Sequence, residues 1–133
     1  MAFKLIGRPD PVLEEFYVTD SEAIAYGQCL KLASGRLTAA GDATDIAAIS
    51  TQAVTAGTDQ LCKVIIPSSD MVWEAPYSGT ADAAFIVGLL SADLDSAGTG
   101  VDAADVSGGK IGILAINSTT GTVRCKIVGR AFG

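Results

Sequence analysis

The side chains able to do chemistry in this chain are fifteen carboxylates, nine cations and three cysteines, with no histidine. That composition removes Ser-His-Asp triads, Cys-His dyads, HExxH zinc sites and imidazole proton shuttles together. The densest carboxylate run is "DLDSAGTGVDAAD", residues 93–105. Aligned on an EF-hand loop, it puts Ala97 where a ligand is wanted and Ala104 where a bidentate glutamate is needed, so a solvated turn is the expectation. "GTGVDA" at 98–103 fits G-x-G-x-x-A in form, but "ADVSGGK" follows and cannot sustain the helix that a dinucleotide site requires. "GGK" at 108–110 lacks the upstream glycine and following hydroxyl of a phosphate loop. Glu14 and Glu15 could serve as acid and base only if they converged, and neighbours in an extended chain face apart. The expectation is a protein that is not an enzyme, with no catalytic, cofactor-binding or metal-ligating residues.

Cys29, Cys62 and Cys125 lie far apart in β-like runs. An odd count without C-x-x-C spacing supports neither a disulfide framework nor a zinc site, so they read as small buried hydrophobes in a reducing compartment. Trp73 and Tyr77 bracket Glu74 and Pro76. An aromatic pair beside a proline closes a core, or it forms a subunit interface or ligand platform. The platform reading gives an alternative function, a β-barrel module binding a small molecule or carbohydrate. The net charge of −6 argues against nucleic-acid binding, which draws on clustered Lys and Arg. The nearest approach to a basic patch is Arg124, Lys126 and Arg130, alternating along one predicted strand as an edge facing solvent or an acidic partner.

The elements that must position these residues are short. Apolar residues are 49% of the chain and charged residues 18%, which specifies a folded chain of about one domain. Residues 1–20, with Pro9 and Pro11 around Asp10, read as an extended N-terminal arm in which "LEEFYV" could pair as an edge strand; residues 21–133 read as one β-barrel or sandwich domain. "AYGQCLKLA" and "RLTAA" flank a tight "SG" reversal and predict a hairpin. "GDATDIAAI" stays open between helix and loop. "AAISTQAVTAG" predicts a strand ended by Gly57, "QLCKVIIP" one closed by Pro67, and "DMVWEAPYSG" one stopped by Pro76. "ADAAFIVGLLSADLDS" is apolar enough for a buried strand, Gly88 weighing against a helix. A short strand at 100–102 follows, and "KIGILAINSTTGTVRCKIVGRAF" predicts a closing hairpin on "NSTTG". About eight short segments without repeats indicate an all-β barrel or sandwich. The first residues lack the apolar run and cleavage site of a signal peptide, so a cytosolic product is expected, and "AAFIVGLL" is too short to span a membrane.

The order of these phrases resembles the head decoration, or capsid cement, proteins of tailed bacteriophages, from "YGQCLKL" and "SGRLTAAG" through "QLCKVIIP" and "MVWEAP" to the closing hairpin with its basic alternating strand. The resemblance spans most of residues 16–132. It implies a compact β-barrel or β-tulip-like domain, made in the host bacterial cytoplasm, that binds the outer surface of an assembled head. The implied partners are the major capsid protein and further copies of itself, as a homotrimer, with no nucleic acid or membrane. The candidate interface is then Phe3, Leu5, Pro9, Pro11 and Phe16 on the arm, Trp73 and Tyr77 in the middle, and Arg124, Lys126 and Arg130 near the end.

Overall fold

A computed structural model describes residues 2–7, 11–41 and 44–133. Among these, eleven strands and no helix are found: β1 (Lys4–Gly7), β2 (Val12–Tyr17), β3 (Cys29–Ala33), β4 (Arg36–Ala39), β5 (Ala48–Ser50), β6 (Leu61–Ile66), β7 (Val72–Ser78), β8 (Asp93–Leu94), β9 (Val101–Asp102), β10 (Ile111–Asn117) and β11 (Thr122–Ile127). The two expected hairpins form where turn chemistry demands them. Ser34 and Gly35 adopt φ of 50° and 78°, the paired left-handed conformations of a two-residue loop that matches strand twist. In the other, Asn117 Oδ1 accepts the Thr119 and Thr120 N–H groups at 3.0 and 3.2 Å, and Gly121 closes the loop at φ 68°.

The strands build two sheets. One runs β2-β6-β5-β3-β4 and curls until its ends meet at a parallel bridge between Val18 and Leu37. Its interior holds Val18, Ile24, Leu30, Leu37, Ala48, Val54, Cys62 and Val64. The second runs β10-β11-β7-β9-β8, with β1 also paired to β7. The larger core joins the two sheets: Trp73, Ala75, Ile113, Val123, Cys125 and Ile127 from one meet Cys29 and Ile49 from the other, with Phe3 among them. Cys29 and Leu30 therefore bury opposite faces of β3 in two different cores. Main-chain and amide bonds stitch the sheets, since Cys29 N–H donates to Gly98 O at 2.8 Å and Gln28 Nε2 to Ala97 O at 3.0 Å. The result is an all-β, barrel-like domain.

Several sequence expectations change. Residues 1–20, read as an arm outside the domain, give a strand to each sheet: β1 pairs with β7, and β2 pairs with β6 as the edge strand that "LEEFYV" suggested. Pro76 does not stop its strand. Tyr77 N–H donates to Gly121 O, so the odd residues of β7 face β11 and Pro76 turns its nitrogen the other way, into the gap between β1 and β9 where no ladder bond is required. "AAISTQAVTAG" is strand only at Ala48–Ser50, because the Ser50 hydroxyl turns to the main chain of Ala25 and Gln28 and the ladder ends. "ADAAFIVGLL" is a looped segment with turns, not a strand. In "GDATDIAAI", residues 42 and 43 lie outside the described residues, and Ile46 forms an isolated bridge with Arg130.

Candidate interaction surfaces

The register across β1, β7 and β11 places Lys4, Glu74 and Arg124 in one row on the outward face of the second sheet, opposite the buried Trp73 and Cys125. Lys126 continues that face along β11. It bears on Asp70, whose carboxyl is held below its usual range first by the Ser68 hydroxyl at 2.6 Å and more weakly by Lys126. Elsewhere Arg36 pairs with Asp20 and Asp59 at 3.3 and 2.7 Å, and Lys110 with Asp45 at 3.5 Å. Lys4, Arg124 and Lys126 make no ion pair among the described residues. An acidic molecule thus carries one face with cations to spare, beside an open groove of about 400 Å³ lined by Glu74, Ala115, Asn117 and Arg124.

The looped segment missed from sequence forms a second surface. Gly88 N–H donates to Ile113 O at 2.9 Å and Ile113 N–H to Leu89 O at 2.8 Å, so this segment covers the outer edge of β10. Phe85 anchors it in the core, its ring 5.3 Å from that of Tyr77. Gly88 turns the chain at φ 97°, a conformation that excludes a regular strand there, and leaves Ile86, Val87 and Leu90 each about 60% exposed. Leu90 and Val128 both reach over Gly112, and Leu114 is thrown outward by a bulge between Ile113 and Ala115. Leu90 and Val128 meet over Gly112, and the exposed Ile86, Val87 and Leu114 lie on the same covering loop or on β10 itself, so apolar exposure is concentrated along this edge of the sheet. The sequence signal was present in Gly88 within an apolar run, and it marks a turn rather than a weakened strand.

The third surface is β2. Val12, Leu13 and Tyr17 are exposed, and Val12, Glu14, Phe16, Ile66 and Phe132 line a groove of about 350 Å³.

The predicted interface residues disperse among these places. Phe3 and Trp73 are core, each 1% exposed, and a rigid side chain with no accessible surface contacts no partner. Trp73 and Tyr77 accordingly make no ligand platform, since Tyr77 packs its ring on Phe85 and Trp73 lies beneath the sheet. Leu5 and Phe16 are half-buried against the two cores, Pro11 is exposed before β2, and Pro9 lies outside the described residues. Arg124 and Lys126 share the outward face, but Arg130 falls beyond β11, where its Nη1 donates to Ile127 O at 2.7 Å. All three cysteines are free and buried. Among the described residues no cluster of His, Cys, Asp or Glu is placed to hold a metal, and Asp95 instead accepts the Thr99 N–H within its own turn. Among the described residues no helix is long and apolar enough to cross a membrane.

No family model and no curated protein matches the sequence. Among solved structures, the N-terminal base of head fiber gp8.5 of bacteriophage phi29 superposes with a TM-score of 0.59 over 87% of this chain and 94% of that one, at 16% identity. The fold is similar to that of a phage head-fiber base. At that identity the likeness is one of architecture.

Proposed function

We propose that this protein is a structural component of a bacteriophage head, a cement protein that binds the outer surface of the assembled shell as a homotrimer and stabilises contacts between major capsid subunits. The observation that carries the reading is the shared architecture with the head-fiber base over nearly the whole of both chains. The surface chemistry supports it. Adhesion to a large partner draws on exposed apolar area and on charge contrast, and the Ile86–Leu90 loop with the Lys4–Arg124–Lys126 face supplies both. Three copies engaging three equivalent patches gain avidity without strong individual contacts. No chemical step is needed for such a role.

The test is co-sedimentation of the purified protein with expanded, undecorated phage shells, followed by heat or chaotrope challenge. Decorated shells are expected to survive harsher treatment than bare ones. Failure to bind any shell of a phage encoding such a protein rejects the proposal.

A further inference from the structure

The outer edge of β2 is open over most of its length. Val18 N–H donates to Gln60 O, so the even residues of β2 bond to β6; Thr19 N–H donates to Leu37 O, so the odd residues face the other way. The Val18–Leu37 bridge is where β4 begins to cover that side. Upstream of it the outward main-chain groups of Leu13 and Glu15 meet no partner strand among the described residues. An exposed apolar edge is a template for pairing, and folded proteins usually blunt it. Among the described residues, Pro11 stands before this edge and Arg36 lies over Tyr17 at its far end, while the open stretch between them carries two carboxylates, Glu14 and Glu15.

Those carboxylates select the occupant. In one antiparallel register that pairs the outward residues of two copies, Glu14 stands opposite Glu14 of the other copy; shifted by one pair, Glu15 stands opposite Glu15. Like charges directly opposed on a ladder are destabilising. The registers that avoid this are centred on Leu13, which sets Pro11 with its missing N–H opposite Glu15, or on Phe16, which runs the copy into the end of β2 that Leu37 already covers, and neither gives Glu14 a cation, so a second copy is disfavoured. Glu15 already faces Lys63 across β6, whereas Glu14 faces Val64 and makes no ion pair among the described residues. On the face that Glu14 shares, the groove between Val12, Phe16, Ile66 and Phe132 is apolar around that single charge. We propose that the free edge of β2 accepts an extended strand from another protein, with a Lys or Arg opposite Glu14 and apolar residues two positions to either side in this groove. The inference goes beyond the shell reading and does not depend on it.

The test uses peptides rather than shells, so either idea can fail alone. The capped heptapeptide TVTKTVT and its counterpart TVTETVT are titrated to millimolar concentration into the labelled protein and followed by amide NMR and hydrogen exchange. Expected are shifts and slowed exchange at the Leu13 and Glu15 amides, about two- to five-fold tighter binding of the Lys peptide, and reversal of that order in Glu14→Lys. Leu13→Pro, which removes an outward donor but no bond to β6, loses both peptides. Equal binding of the two peptides, shifts away from β2, or no shift overturns the proposal. So does a self-associated form in which Leu13 and Glu15 exchange as slowly as Val64 before peptide is added, because a second copy then holds the edge.

Discussion

Burial sets the behaviour of the three thiols. Desolvation raises Cys62 to about 11 and Cys125 to about 12, and pushes Cys29 well above the ordinary thiol value, with smaller contributions from Cys125 and Asp95. Above about pH 8.5, where unfolded thiols begin to ionise, the folded chain holds more protons than the unfolded one, so this contribution is complete below that pH and lost as pH climbs toward the folded values. Denaturant midpoints are therefore expected to fall between about pH 8.5 and 10.5, and to fall less steeply in Cys125→Ala. An equal slope in the variant contradicts the assignment. The same thiols should resist alkylation in the native state and react once unfolded. Cys29, Cys62 and Cys125 were legible as buried hydrophobes because their count, spacing and β-like flanks left them no other role. Trp73 was legible as core closure, but its lack of any accessible edge was decided by β1 and β11 packing on both sides of β7.

At the scale of elements, direction matters as much as residue type. Pro76→Ala is expected to change stability by less than about 1 kcal/mol, since the restored N–H points into the gap between β1 and β9. Ala75→Pro, one residue away and fully buried, removes a donor facing β11 and crowds the core, so a loss of about 3 kcal/mol or more is expected. Denaturant midpoints for the pair decide it; similar losses would contradict the strand geometry. The hairpins of β3–β4 and β10–β11 were readable because their turns are local chemistry, at Ser34–Gly35 and Asn117–Gly121. The loop at 81–92 was not, because an apolar run reads as buried until its neighbours are known. Here β10 takes its main-chain bonds and leaves Ile86, Val87 and Leu90 outside.

For the whole molecule, the exposed loop separates adhesion from folding. Replacing Ile86, Val87 and Leu90 together by Ser removes contacts that are already solvated, so the midpoint should move by no more than about 0.5 kcal/mol per site. Shell binding, on the proposed function, should drop severely. Retained binding would move the contact to the Lys4–Arg124–Lys126 face. Light scattering on the free protein tests the proposed trimer directly.

Local pattern was sufficient for the all-β class, the hairpins and the fate of the cysteines, because turn residues and alternation act within a few positions of one another. Tertiary structure alone decided that residues 4–7 and 12–17 belong to two sheets, that Trp73 keeps no accessible edge, and that the apolar loop lies outside. Each of those depends on which strand arrives alongside from a distant part of the chain, and main-chain pairing between remote strands leaves no mark on the residues in between.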